Sequence, residues 1–344
     1  MKEPNSLRSL IFELTAPEGP AGKEASAAKV AKEKLERYMP VTIDRMGSVR
    51  GELPGDGPHI LLDAHIDQIS MLVTAVDANG FIKFDKCGGI DRRILAAHEV
   101  TVWGKQPLFG VVSSTPPHLA KKEEANKVPA FEDMAIDVGL SKDKARELIR
   151  PGDRITLRGK SLPLLDNRIC GPALDDRAGV ASILRCLELL SEKKHRCRLS
   201  VLFSVQEETG GSGAKTAGFC ASAPEGIAVD VSFAMAPGHC REKCADLGKG
   251  TMIGISPTLD ESVSARLQDI AQRNDIAYQL EVMGGRTGTN ADELQVSCAG
   301  TKCGLLSIPL RNMHSGIELI DLGDVESTAQ LMAAYILDRS EDHD

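Results

Sequence analysis

The chain changes texture twice along its length. Up to Ala64, and again from Leu174 onward, apolar runs of strand length alternate with stretches of helical periodicity. Between Ile69 and about Leu162, short segments of alternating apolar and polar residues take over. A chain patterned this way does not build one uniform bundle or barrel. Strands alternating with helices imply an α/β fold, a three-layer sandwich around a mixed, largely parallel sheet. The middle reads as a small β-barrel-like unit inserted into it. The expected division is 1–69 with 163–344 for the sandwich and 70–162 for the insertion. A length of 344 residues suits two domains better than one.

The expected elements follow from period and punctuation. Residues 6–14 and 24–38 read as helices, separated by the breaker run 16–22. Residues 41–45 and 49–53 read as short strands, and 59–64 as a compact apolar strand leading into His65 and Asp67. In the insertion, strands are expected at 71–76, 81–84, 99–103, 109–113 and 154–158, with turns at Asn79-Gly80 and Pro151-Gly152-Asp153. Beyond it, helices are expected at 176–190, 211–220, 262–274 and 325–337, and strands at 198–205, 226–233 and 277–282. No internal repeat or low-complexity tract interrupts this order.

Composition narrows the function classes. Hydrophobic residues make up 42% and charged ones 26%, which argues against global disorder. Aromatics are 3%, too few for stacking platforms that bind sugars or single-stranded nucleic acid. The net charge of -8 gives no electrostatic footprint for nucleic acid. The polar start Met1-Lys2-Glu3-Pro4 has no apolar signal core, and no run of about 18 apolar residues predicts a membrane span. Nine cysteines, several in apolar surroundings such as Cys170, Cys186 and Cys298, fit a reducing, cytoplasmic compartment better than a disulfide framework.

Five segments carry chemistry. His65-Ile66-Asp67 follows an apolar strand, where an i, i+2 pair could let the carboxylate orient the imidazole. A His and an Asp in a polar turn is the plain alternative. In Leu174-Asp175-Asp176-Arg177, one aspartate suffices to cap the coming helix and the other is free to act as a ligand. Gln206-Glu207-Glu208-Thr209-Gly210 ends a buried strand with two acids, which is costly unless they are paired or bind a metal. Neighbouring side chains diverge, so one could be a ligand and the other a base. Both could also be solvent-facing loop residues. Asp230 interrupts the apolar run Ile227-Ala228-Val229, and His314 sits in Arg311-Asn312-Met313-His314-Ser315 with Glu318 beyond. Five acids or histidines at the carboxyl ends of expected strands gather where ligands bind in open α/β sheets. His and carboxylate donors suit zinc, cobalt or manganese.

Together, in this order, the segments His65-x-Asp67, Asp175-Asp176-Arg177, Gln206 to Gly210, Val229-Asp230-Val231 and Met313-His314-Ser315 resemble the M42 family of dinuclear metallo-aminopeptidases. The resemblance covers nearly the whole chain, including the insertion with its Pro116-Pro117-His118-Leu119 segment. It implies two divalent metal ions per subunit, zinc or cobalt first and manganese as a further option. His65 and Asp230 would bind one ion, Glu208 and His314 the other, and Asp175 would bridge them across a cis peptide to Asp176. Asp67 would support His65, and Glu207 would be the general base. Substrates would be peptides with a free amino terminus. Neither nucleic acid nor membrane is an expected partner. The insertion would drive homo-oligomers, from dimers to tetrahedral dodecamers.

The resemblance has departures. Thr209-Gly210-Gly211-Ser212-Gly213 replaces the family's usual Val-Gly-Leu-Arg-Gly, Asn290 stands in Gly288-Thr289-Asn290-Ala291 where an Asp is usual, and Ala236 precedes Pro237-Gly238 where an Asp is usual. An acid lost from the pocket would alter side-chain preference. The nearest rival, a deacylase of N-acylated amino acids, would use the same ligands. An endoglucanase-type glycoside hydrolase would use two carboxylates, but scarce aromatics and both histidines argue against it. A non-enzymatic scaffold would predict a degraded ligand set, whereas all five ligands are present. Three features read as bland. His239, Cys240 and Cys244 are expected as loop residues, 284–288 as a pocket-lining turn, and 121–124 as a solvated face.

Overall fold

The computed structural model describes residues 6–116, 118–119 and 127–342. The charged run 121–124, Pro117 and the first residues lie outside the described residues. The fold is the expected α/β sandwich with a barrel set into it.

The sandwich is organised by an eleven-stranded sheet. Its order is Val41–Ile43, Val49–Leu53, Arg198–Ser204, His59–His65, Glu225–Phe233, Lys302–Arg311, Glu318–Asp321, Arg168–Gly171 and Leu162–Pro163. Thr251–Ile255 branches from Lys302–Arg311 and pairs with Tyr278–Val282. The central four strands, from Arg198–Ser204 to Lys302–Arg311, are parallel. Each strand is buried on both faces, hence the near-continuous apolar runs. Ile60, Leu62 and Ala64 face the layer holding helices Leu7–Thr15, Ala25–Leu35, Leu174–Leu190 and Leu322–Ser340. Leu61 and Leu202 face the other way, toward helices Ser212–Ala221 and Ala291–Leu294. Fully buried side chains such as Leu62 and Phe203 each contribute roughly 1.5–3 kcal/mol.

Six antiparallel strands close the barrel, in the order Ser70–Val76, Ile82–Cys87, Ala135–Asp137, Pro107–Ser113, Glu99–Trp103 and Arg154–Leu157. Met71, Val73, Ile82, Val100, Val102, Val112, Ile136 and Ile155 fill its interior. Alternation exposed five of these strands in the sequence. The sixth, Ala135–Asp137, has three residues, too few to display a period, yet it bridges its two neighbours. Past the barrel, Leu162–Pro163 already pairs within the large sheet.

Several elements escaped the sequence reading: the helix Lys142–Leu148, the short strands Arg168–Gly171 and Glu318–Asp321, the strand Thr251–Ile255 and, last, the ten-residue strand Lys302–Arg311. Lys302–Arg311 contains Gly304 and Pro309, residues that argue against a central strand. Among the described residues no helix is long and apolar enough to cross a membrane.

Candidate metal centre and active site

The site forms where the parallel strands end. His65 is the last residue of its strand. Glu207 and Glu208 occupy the turn after Arg198–Ser204. Glu225–Phe233 pairs with the His65 strand only through Ala228, so Asp230 projects past its neighbour's ladder. Asp175 opens the helix Leu174–Leu190, and His314 sits in the loop between Lys302–Arg311 and Glu318–Asp321.

Asp175 and Asp176 divide the two tasks expected of them. The Asp176 carboxylate accepts the Gly179 amide at 3.0 Å and so caps the helix. Asp175 points into the site, and the peptide bond between the two is cis. Gly179 has no alternative here, because a Cβ would come within 2.4 Å of the Asp176 carboxylate.

The donor atoms form two groups that share Asp175. His65, Asp175 and Asp230 offer atoms within 4.8 Å of one another, as do Asp175, Glu208 and His314. His65 Nε2 lies 3.0 Å from Asp175 and 3.9 Å from Asp230. His314 Nε2 lies 3.3 Å from Asp175 and 3.4 Å from Glu208. Both imidazoles donate Nδ1–H to a backbone carbonyl, His65 to Asp67 at 3.1 Å and His314 to Gly89 at 2.9 Å. With Nδ1–H committed to a carbonyl, each Nε2 is the ring nitrogen that faces the carboxylates; it donates to Asp175 here and would give up that proton to a bound cation.

The Asp67 carboxylate is placed differently from the sequence expectation. Its closest oxygen is 3.5 Å from His65 Nδ1, and the carbonyl of the same residue takes the imidazole proton. The carboxylate instead accepts the amides of Glu207 at 3.0 Å and Glu208 at 3.1 Å. Asp67 lies beyond the end of the strand, so the i, i+2 face rule no longer applies to it. Glu318 does the same for the opposite side, accepting the Asp175 amide at 3.1 Å and the His314 amide at 3.0 Å. Gln206 and His314 both have φ of 60°. Such left-handed residues cost about 1–3 kcal/mol each and persist where surrounding bonds hold them.

The electrostatics fit a cation. Three of the five donors are carboxylates, and among the described residues no Lys or Arg pairs with them. Burial disfavours charge on Asp175, yet hydrogen bonds from His314 and His65 hold its carboxyl well below the usual range. Burial raises Glu208 well above the ordinary value, with the Asp175 charge adding to it. Burial raises Asp230 too, reinforced by Asp176. Divalent cations would hold these groups ionised, and a mixed His and carboxylate set suits zinc, cobalt or manganese. Glu207 belongs to neither donor group, and burial pushes its carboxyl up to about 7.

Sequence reasoning missed Gly88 and Gly89. They come from the barrel and approach so closely that a Cβ on Gly89 would lie 2.6 Å from His314 Nδ1, and one on Gly88 3.1 Å from Glu208 Oε2. Gly89 acts through its carbonyl, which leaves no side-chain signal. The glycine-rich turn behaves as expected. Asp292 accepts the Thr287 amide at 3.0 Å and the Gly288 amide at 2.9 Å, fixing a loop that lines the cavity. Asn290, expected in the pocket, is instead buried against the sheet below the donors, donating to Asp63 at 2.8 Å and Ser204 at 2.7 Å. His239, Cys240 and Cys244 join neither donor group.

A cavity of about 440 Å³ opens beside the donors. Asp175, Glu207, Glu208, Asp230 and His314 line one end of it.

The comparisons agree with this geometry. A lysyl aminopeptidase of Pyrococcus furiosus is 32% identical over 304 residues, covering 86% of each chain. A TET aminopeptidase from Thaumarchaeota archaeon SCGC AB-539-E09 superposes with a TM-score of 0.92 at 27% identity, covering 96% of both chains. The TET1 peptidase of Pyrococcus horikoshii, which can assemble into a tetrahedron or a large octahedral shell, gives a TM-score of 0.85 at 29% identity, covering 96% of this chain and 99% of that one. The profile of the M42 glutamyl aminopeptidases matches residues 47–331, a span that includes the barrel and every donor, and the chain therefore belongs to the M42 family of aminopeptidases.

Proposed function

We propose that this aminopeptidase releases amino-terminal residues from peptides using two divalent cations. His65, Asp175 and Asp230 hold one, and Asp175, Glu208 and His314 hold the other. The observation that carries the reading is the pair of donor groups sharing the Asp175 carboxylate. When bound, the cations supply Lewis acidity at the scissile carbonyl and at the attacking water. The native metal is zinc or cobalt, with manganese the next candidate.

Glu207 is the general base. Its raised carboxyl, near 7, is poised to take a proton from water and return it to the leaving amine. Asp67 positions it by fixing the amides of Glu207 and Glu208. Glu318 positions Asp175 and His314 in the same way.

The segment from 70 to 162 acts as a self-association unit, a role supported by the shells that the TET1 relative forms. A cytoplasmic location is supported by nine cysteines, all free.

The test compares peptides with free and acetylated amino termini, alongside a soluble cellulose, with and without a chelator. Cleavage of the free peptide alone, abolished by chelation and restored by zinc or cobalt, is expected. Equal cleavage of the acetylated peptide would favour the deacylase, and sugar release a glycosidase. Light scattering should find a species far above 36.9 kDa. A monomer with full activity would remove the association role.

A further inference from the structure

We propose that the cavity beside the donors recognises a cationic side chain, lysine or arginine, on the first residue of the substrate through the carboxylate of Glu281. This rests on the aminopeptidase reading above.

The sheet puts Glu281 there. Asp230 and Ser307 are direct partners on adjacent parallel strands, and Ser232 lies two residues beyond Asp230 on the same face. Glu281 belongs to the strand Tyr278–Val282, which joins the sheet through Thr251–Ile255. Its carboxylate reaches back to that face. The Ser307 hydroxyl donates to Oε2 at 2.7 Å, and the Ser232 hydroxyl donates to Oε1. A row therefore runs from a proposed metal ligand, through two serines, to an acid.

Both serines are buried, Ser307 1% exposed and Ser232 8%. They fix the carboxylate without neutralising it, and each of its oxygens retains acceptor capacity. Among the described residues Glu281 has no ion-pair partner, and the cavity lining contains no lysine or arginine. The rest of the lining includes Phe233, Met283, Leu305 and Met313. An apolar wall ending in an uncompensated carboxylate matches the methylene stem and charged tip of lysine or arginine.

The alternatives are disfavoured by the same carboxylate. A leucyl side chain would cover Glu281 without pairing its charge, and a glutamyl side chain would bring a like charge to it. The chemistry predicts lysyl and arginyl substrates ahead of leucyl ones by about tenfold or more, and ahead of glutamyl ones by about 100-fold or more.

The experiment uses the purified full chain loaded with zinc or cobalt and the p-nitroanilides of lysine, arginine, leucine and glutamate. Two variants are compared, Glu281→Gln and Glu281→Lys. The expected result is a lysyl preference that shrinks at least about tenfold in Glu281→Gln, chiefly through KM, with Glu281→Lys moving toward the glutamyl substrate. Calorimetric titration of the unvaried protein with L-lysine and L-norleucine adds a readout that needs neither turnover nor a variant. Lysine should bind more tightly. A leucyl or glutamyl preference, or equal binding of the two amino acids, overturns the inference and leaves the aminopeptidase reading standing. An equal loss on all four substrates in Glu281→Gln also overturns it, because the carboxylate would then hold the common amino terminus. Failure to cleave any of the four overturns the aminopeptidase reading and this inference with it.

Discussion

Asp67 and Glu318 are counterparts on opposite sides of the site. Each uses its carboxylate to accept two backbone amides, Asp67 from Glu207 and Glu208, Glu318 from Asp175 and His314. Neither belongs to a donor group. Between them they set the backbone of four of the six side chains to which the reading assigns chemistry.

That symmetry predicts separable losses. Asp67→Ala frees the turn that carries Glu208 and should lower metal occupancy on one side, together with turnover by about 10–100-fold. Glu318→Ala touches the shared ligand as well as His314, so both metal positions should weaken. Metal analysis of the two purified variants is the check. Full occupancy in Glu318→Ala would show that the amides hold without it.

Glu207 and Glu208 should fail differently although they are neighbours. Glu207→Gln keeps size but removes basicity. It should retain both ions and lose turnover by about 100-fold or more. Glu208→Gln should lose one ion, and Asp175→Asn more than that, since Asp175 sits in both groups. If Glu207→Gln loses metal while Glu208→Gln keeps both ions, the roles are reversed.

Gly89 tests the link between barrel and site. A Cβ there would meet His314 Nδ1 at 2.6 Å, displacing the imidazole whose proton Gly89 accepts. Gly89→Ala should cut activity by about 10–100-fold with little change in thermal stability. Kinetics indistinguishable from the unvaried protein would mean that His314 tolerates the shift.

Arg177 bears on stability. It is 1% exposed and donates to the carbonyls of Leu14, Pro17 and Ile66 and to the Gln68 side chain. It ties the first helix and its following loop to the end of the His65 strand. Arg177→Met strands several buried acceptors and should destabilise by about 3–5 kcal/mol. Urea unfolding gives the measurement, and a loss below about 1 kcal/mol would contradict the role.

The legibility of this chain followed the chemistry of single residues. His65, Glu207, Glu208 and Asp230 stood out because charged or polar groups end or interrupt apolar runs, which burial makes costly without a partner. The parallel core was readable because both faces of each strand are covered. Lys302–Arg311 was not, since Gly304 and Pro309 mask its period. The carboxylate task of Asp67 and the carbonyl task of Gly89 depend on backbone geometry that no residue pattern encodes.

The donors lie far apart along the chain, from His65 to His314, and only the folded chain brings them together. A polypeptide still being synthesised cannot complete either donor group before Asp175 and Asp230 have emerged, nor both before His314 has. On the two-cation reading proposed above, the chain therefore gains hydrolytic power only once His314 is in place, and a half-made copy cannot cleave peptides.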